Sequence, residues 1–176
     1  MIQLHDKQFV PFLSAEEIAH AISKMTLQVE ADFKDEVPVF IGVLNGSFMV
    51  VSDFMKSYSG ACELSFVKMA SYEGTSSTND VKELIGINQD LTGRSVVIIE
   101  DIVDTGNTIE ELHLIFSKQN VKQLKVATLF FKPEAYKKDF PIDYVGIRIP
   151  NKFIVGFGLD YDGLGRNLPE VYKLKE

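Results

Sequence analysis

The stretch VVIIEDIVDTGNT, residues 96–108, decides the fold and also raises the first functional question. It begins with a run of β-branched apolar residues, which is typical of a buried strand. Two adjacent acids, Glu100 and Asp101, and a third, Asp104, follow this run and precede a short polar loop. Like charges at this spacing repel each other. The acids therefore either form a solvated turn or hold a ligand that is cationic or rich in hydroxyl groups.

The segments around this stretch alternate between strand-like and helix-like patterns. A helix is predicted from Ser14, because Ser14 and Glu17 match the capping-box pattern. Ile18, Ile22 and Met25 then recur at helical spacing. The other predicted helices cover 47–58 and 108–119, and the predicted strands cover 37–44, 63–70, 95–101 and 124–132. Continuously apolar strands that alternate with helices predict an α/β fold, in which helices cover both faces of a parallel sheet.

The length of the chain, 176 residues, predicts one domain over 1–176, with its core at about 37–134. After Phe131 the pattern changes to short pieces that are rich in glycine and aromatic residues. We expect 138–176 to form a small hood over the strand ends, joined by 1–14. The polar stretch 71–83 is long and has no apolar period, which favours a functional lid.

Composition excludes several classes of protein. Lys and Arg number 18 and Asp and Glu number 25, so the formal net charge is −7, which disfavours nucleic-acid binding. The one cysteine, Cys62, rules out an internal disulfide and is best interpreted as a buried structural residue. The three histidines lack metal-ligand spacing. No apolar run approaches the roughly 18 residues of a membrane helix, and the N-terminus lacks a signal-peptide layout, so we expect no membrane partner and a cytoplasmic location.

The ends of parallel strands are where such sheets bind ligands. If the strand ends at Asp101 and the helix begins near Thr108, the amides of 104–108 lie at a helix N-terminus, which attracts anions. Glu100 and Asp101 would accept hydrogen bonds from vicinal hydroxyls, or would face a magnesium ion that a phosphorylated ligand carries. A ribose 5-phosphate would match both groups, with its phosphate at the amides of 104–108 and its ribose hydroxyls at Glu100 and Asp101. The alternative is a solvated turn in which Asp104 or Thr105 only caps the helix.

VVIIEDIVDTGNT resembles the phosphoribosyl-pyrophosphate motif of type I phosphoribosyltransferases. Four further segments resemble the hypoxanthine-guanine phosphoribosyltransferase family, in its order, over 37–174. They are VLNGSFM (pyrophosphate loop), SYEG (mobile catalytic loop), LFFK (base-recognition strand) and IPNKFIVGFGLDYDGLGRNLPEVYKL (C-terminal hood). The resemblance implies a Mg²⁺-dependent reaction in which a nitrogen of a 6-oxopurine displaces pyrophosphate from carbon 1 of phosphoribosyl pyrophosphate.

The resemblance also implies residue roles. Asp104 is the expected general base, and Glu100 and Asp101 are expected to hold the ribose hydroxyls. The remaining assignments are Asp104, Thr105, Gly106, Asn107 and Thr108 for the 5-phosphate; Leu44, Asn45, Gly46 and Arg166 for pyrophosphate; Lys132, Phe153 and Ile154 for the purine; Ser71 and Tyr72 for the mobile loop; and Asp160, with Glu100 and Asp101, for the metal.

Two features of the pyrophosphate loop follow from the same resemblance. Many relatives carry Lys or Arg at the position of Asn45, so this chain lacks one charge contact to pyrophosphate. The peptide bond after Leu44 can be cis in the family.

Other interpretations remain open on the sequence. Lys132 donates hydrogen bonds and does not accept them, which argues against adenine as the base, whereas xanthine differs from hypoxanthine only at position 2. A regulator of the same fold that binds RNA would need a basic face, which the charge of −7 disfavours. By resemblance we expect a homodimer or a homotetramer.

Overall fold

The computed structural model describes residues 1–69, 83–85, 87 and 89–175. In chain order its elements are β1 (Ile2–Leu4), β2 (Lys7–Leu13), α1 (Ala15–Asp32), β3 (Val39–Leu44), α2 (Phe48–Ser57), β4 (Glu63–Met69), β5 (Glu83–Ile85), β6 (Ser95–Val103), α3 (Asn107–Ser117), β7 (Gln123–Phe131), β8 (Tyr144–Arg148), β9 (Ile154–Val155) and β10 (Val171–Leu174). Ser71, Tyr72 and most of the predicted lid 71–83 lie outside the described residues.

The main sheet has the strand order β5-β4-β3-β6-β7-β8 within the described part of the chain. Its strands β4, β3, β6, β7 and β8 run parallel, and β5 is antiparallel to β4. The prediction of an α/β fold with a parallel sheet is confirmed. Since β3, β6 and β7 are neighbours and parallel, their carboxyl ends meet at one edge.

Both faces of the central strands β3, β6 and β7 are largely buried, which is why most of their residues are apolar. On β6, Val97 and Ile99 face the core formed with α1 and α2, whereas Val96 and Ile98 face the core formed with α3. The side chains of a strand alternate between its faces, so each strand contributes to both cores.

The predicted end of β6 at Asp101 was wrong, because the strand continues to Val103. Ile102 and Val103 pair with Phe130 and Phe131 of β7, and Val103 is buried. These two β-branched residues fit a covered sheet better than a turn. The acids before them are therefore held inside the strand.

The strand β8 differs from the predicted hood, because it lies in 138–176 but adds to the main sheet beside β7. Its first residue, Tyr144, is buried, and the Tyr144 hydroxyl donates to Asp32 Oδ2 at 2.6 Å. The described segment between β7 and β8 contains no helix. The alternation of strand and helix patterns, which predicted the other parallel strands, therefore did not predict β8.

A second, antiparallel sheet in the order β1-β2-β10-β9 forms the hood. The first and last segments of the chain meet in it, because β10 pairs with both β2 and β9. The capping box at the start of α1 is confirmed. Ser14 Oγ accepts from the Glu17 amide at 3.2 Å, and Glu17 Oε2 accepts from the Ser14 amide at 2.8 Å.

Cys62 is partly buried and packs against the core on the side of α1 and α2, and burial raises the pKa of its thiol. Both facts agree with a structural role. Among the described residues, no helix is long and apolar enough to cross a membrane.

The aromatic cluster under α2 provides a test of the packing. The Phe40 ring lies 5.1 Å from the Phe54 ring and 4.9 Å from the Tyr58 ring, between centroids, and Phe40 is fully buried. We expect Phe40→Ala to lower the free energy of unfolding by about 3–5 kcal/mol, because it removes buried surface and leaves a cavity. Urea unfolding measures this loss.

Leu114→Ala is the control, because the Leu114 side chain is 59% exposed. Its free energy of unfolding should stay within about 0.5 kcal/mol of that of the natural protein. Equal losses in the two variants would contradict the packing described for Phe40.

Candidate active site

The ends of β6 and β7 bring two predicted site residues into contact. The Lys132 amide donates to the Val103 carbonyl at 3.0 Å, which extends the strand pairing by one residue. Lys132 Nζ then lies 2.7 Å from Asp104 Oδ2. The Lys132 side chain is 8% exposed and that of Asp104 is 43% exposed. A nearly buried ammonium is thus held by a carboxylate that solvent and small ligands can reach.

The acid pair on β6 is buried, with Glu100 6% and Asp101 8% exposed. This burial contradicts the alternative of a solvated turn. Burial and the neighbouring charge of Asp101 raise the pKa of Glu100 well above its ordinary value. Burial also raises the pKa of Asp101, although the Ile102 amide, which donates to Asp101 Oδ1 at 2.8 Å, opposes that rise. Buried acids whose pKa values are raised in this way cluster at functional sites.

The predicted pyrophosphate loop lies directly against this pair. A Cβ at Gly46 would overlap Asp101 Oδ2, so only glycine fits between the loop and the acid. A Cβ at Gly158, in the hood, would overlap the carbonyl oxygen of Gly46. The peptide bond between Leu44 and Asn45 is cis, as the resemblance allows. Three segments that are distant in the chain, at Asp101, Gly46 and Gly158, therefore lie in close contact.

The loop 104–108 lies between the end of β6 and the first residues of α3. Gly106 is the residue before α3 and has φ = 87°, a left-handed conformation that glycine adopts without strain. The α3 helix begins at Asn107, so the unpaired amides at its start follow closely on the end of β6. A Cβ at Gly106 would overlap the Tyr136 ring, so the loop is also covered from outside.

The hood contributes an aromatic ring and an ion pair. The Phe153 ring is 45% exposed, and it lies 6.2 Å from the Phe9 ring and 5.9 Å from the Tyr161 ring, between centroids. Its neighbour Ile154 is buried. An exposed aromatic ring supported on its other side is available for stacking.

The ion pair joins two residues that the resemblance assigns to different ligands. Arg166 Nη2 lies 2.7 Å from Asp160 Oδ1, and Arg166 Nη1 donates to the Gly158 carbonyl at 2.7 Å. The guanidinium charge also opposes the rise that burial causes in the pKa of Asp101, so Arg166 is within electrostatic reach of the acid pair. The remaining Asp160 oxygen accepts from the Gly163 amide at 2.7 Å.

The sequence interpretation placed Ser47 in the candidate pyrophosphate loop, and it gave Gly158 no role at the site. Ser47, at the start of α2, is fully buried, and its hydroxyl has no hydrogen-bond partner among the described residues. Gly158 was assigned no role, although its place in the run GFGLDYDGLG was a signal of close packing. Within the described chain there is no cluster of three or more His, Cys, Asp or Glu that would hold a metal ion by itself.

Comparisons with known proteins agree with this geometry. The phosphoribosyl transferase domain family matches residues 12–162. A hypoxanthine-guanine phosphoribosyltransferase of Streptococcus pyogenes is 42% identical over 164 residues, which cover 93% of this chain and 91% of that protein. The enzyme of the same name from Aquifex aeolicus is 33% identical over the full length of both chains.

The fold comparison gives the same result. The crystal structure of a hypoxanthine-guanine phosphoribosyltransferase from Bacillus anthracis superimposes with a TM-score of 0.89 at 36% identity, and covers 97% of this chain and 100% of that one. The likeness thus includes the hood as well as the sheet. With both strand-end acids, the Lys132 contact and the hood in place, the chain belongs to the phosphoribosyltransferase family, in its hypoxanthine-guanine branch.

Proposed function

We propose that this chain transfers the phosphoribosyl group of phosphoribosyl pyrophosphate to hypoxanthine, and to guanine, forming IMP or GMP and releasing pyrophosphate. The observation that carries the proposal is the contact of 2.7 Å between Lys132 and Asp104 at the entrance to the loop 104–108. A donor and a proton acceptor for a 6-oxopurine are thus adjacent to a helix N-terminus that suits a phosphate.

The sugar end of the substrate matches the acids of β6. The 5-phosphate would accept hydrogen bonds from the amides of 104–108 and from the hydroxyls of Thr105 and Thr108. Glu100 and Asp101 would then accept from the ribose hydroxyls. As the bond to pyrophosphate breaks, positive charge develops on the sugar, and the buried negative charge of this pair stabilises it.

The base end matches Lys132, Asp104 and Phe153. An ammonium only donates, so Lys132 would bind the oxygen at purine position 6 and would reject the amino group of adenine. Asp104 would take the proton that the attacking nitrogen loses. The exposed Phe153 ring would stack on the base. In the free chain, Lys132 and Asp104 bind each other in place of the purine.

The pyrophosphate would contact the backbone of Leu44, Asn45 and Gly46, and Arg166 from the hood. Magnesium fits the carboxylates nearby, because it commonly takes one or two protein carboxylates together with substrate phosphates and water. We propose Asp160, with Glu100 and Asp101 on the ribose side, as the groups that would hold it. When bound, magnesium would neutralise charge on the leaving pyrophosphate.

We also propose a cytoplasmic homodimer or homotetramer, in line with the family resemblance. Light scattering coupled to gel filtration is expected to give a mass of two or four times 19.8 kDa. A monomer at the concentration of the activity assay would contradict this part of the proposal.

The first test is turnover with phosphoribosyl pyrophosphate, magnesium and each of hypoxanthine, guanine, xanthine and adenine. We expect activity with hypoxanthine and guanine, and a loss of kcat of about 100-fold or more in Asp104→Asn, because the amide cannot take the proton. Asp162→Asn is the matched control. Asp162 lies in a hood turn with φ = 47°, which asparagine also tolerates, and has no assigned role.

The outcomes separate the remaining interpretations. Activity that survives in Asp104→Asn would contradict the role of Asp104, and a preference for xanthine or adenine would contradict the proposed base. If the protein binds phosphoribosyl pyrophosphate but turns over no base, an RNA-binding assay tests the regulator interpretation.

The pH dependence of stability tests the acid pair. The raised pKa of Glu100 means that the folded state binds the carboxyl proton more tightly than the unfolded state does. The free energy of unfolding therefore falls as the pH rises through the pKa of the folded state. Glu100→Gln removes the buried charge. We expect the variant to gain about 1 kcal/mol in the free energy of unfolding at pH 8, and less at pH 5, while turnover falls.

Urea unfolding at the two pH values measures this difference. Glu134→Gln is the control, because Glu134 is exposed. It should change neither stability nor turnover. A Glu100→Gln variant that is less stable than the natural protein at pH 8 would show that the charge of Glu100 is compensated in the folded chain.

A further inference from the structure

The segment 133–140, which follows Lys132, packs on the outside of the loop 104–108. The Lys137 amide donates to the Thr105 carbonyl at 3.4 Å. A Cβ built on Gly106 would overlap the Tyr136 ring and would lie 2.8 Å from Lys138 Cγ. The aliphatic part of the Lys138 side chain is therefore in contact with the glycine of the loop.

The charged end of Lys138 forms an ion pair with the helix that the loop begins. Lys138 Nζ lies 2.6 Å from Glu110 Oε2, and the two side chains are 21% and 44% exposed. Glu110 is in the first turn of α3, and its amide donates to the Gly106 carbonyl at 3.0 Å. Glu110 thus lies within one helical turn of the loop that is proposed to bind the 5-phosphate.

This arrangement raises a problem of charge. A phosphate group carries close to two negative charges at neutral pH. The start of α3 offers only partial positive charge, and the loop Asp-Thr-Gly-Asn-Thr contains no cation. A free carboxylate at Glu110 would compete with the phosphate for the same helix N-terminus. Lys138 removes that competition, because it neutralises Glu110.

We propose that Lys138 is a positioning residue for the 5-phosphate, which acts by holding and neutralising Glu110 at the start of α3. The proposal rests on the proposed function, because it assumes that the loop 104–108 binds this phosphate. Its contribution is to the binding of the phosphorylated substrate, and not to the chemistry at the purine.

A double-mutant cycle tests the proposal. Lys138→Met leaves Glu110 uncompensated, and we expect the KM for phosphoribosyl pyrophosphate to rise roughly 5- to 20-fold, with kcat and the KM for hypoxanthine within about twofold of the natural protein. Glu110→Gln alone removes the acid and should not raise this KM. In the double variant the KM should return to within about twofold of the natural value, because no charge is left to compensate.

Three controls exclude a structural or general electrostatic explanation. Lys118→Met, at the opposite end of α3, makes the same change of net charge and should leave the KM unchanged. Lys138→Arg keeps the charge and should behave nearly as the natural protein does. The rise in Lys138→Met should shrink in 0.5 M salt, because partly exposed charges are screened. Thermal unfolding identifies any variant that does not fold.

Binding of ribose 5-phosphate, measured by calorimetry, separates this proposal from the proposed function. If the natural protein binds ribose 5-phosphate, Lys138→Met binds it more weakly and the double variant binds it normally, Lys138 has the role proposed even if no base is turned over. An unchanged KM and affinity in Lys138→Met would overturn the proposal. A double variant as weak as Lys138→Met would also overturn it, since Lys138 would then contact the phosphate directly. Failure of the natural protein to bind ribose 5-phosphate would overturn both proposals.

Discussion

The close contact between the Asp101 carboxylate and the backbone of Gly46 is the constraint on which the site depends. It exists because β3 and β6 are parallel neighbours, so that the loop after β3 meets the acids near the end of β6. No side chain fits at position 46, and none fits at Gly158, where the hood lies on the Gly46 carbonyl. Two successive close contacts, one to the Asp101 carboxylate and one to the Gly46 carbonyl, therefore join the acid pair, the pyrophosphate loop and the hood. Any shift of one of these parts would move the other two.

Most of the carboxylates around the site are paired with cations of the same chain. Three carboxylates around it are each paired with a cation, in the pairs Lys132–Asp104, Lys138–Glu110 and Arg166–Asp160. In the first two pairs the cation comes from another segment of the chain, and in the third both residues lie in the hood. The pairs with Lys132 and Arg166 involve groups that the substrates are proposed to bind, so the protein itself satisfies those groups before a ligand arrives. Glu100 differs, since burial and Asp101 both disfavour its charge. A residue whose buried charge lowers the stability of the fold is typical of residues that are retained for function.

Much of the fold was predictable because its signals are local. The capping box at Ser14 and Glu17 and the apolar runs of β3, β6 and β7 depend on near neighbours in the chain. The end of β6 was not predictable in this way. Ile102 and Val103 follow two acids and look like the start of a loop, but pairing with β7 keeps them in the sheet. The place of β8 was missed for a similar reason, because a strand that follows no helix carries no βα pattern.

By itself, the sequence determined the class of fold and the acids and loop of 96–108, because residue type and spacing are sufficient for each. The family followed from the resemblance of its motifs to known ones. Only the tertiary structure decided which of these residues meet. The contact of Lys132 with Asp104 joins positions 28 residues apart, and that of Lys138 with Glu110 spans the same separation. The exclusion of side chains at Gly46 and Gly158 was likewise visible only in three dimensions. The reason is physical: burial, overlap and ion pairing depend on distances between segments, and strand order sets those distances.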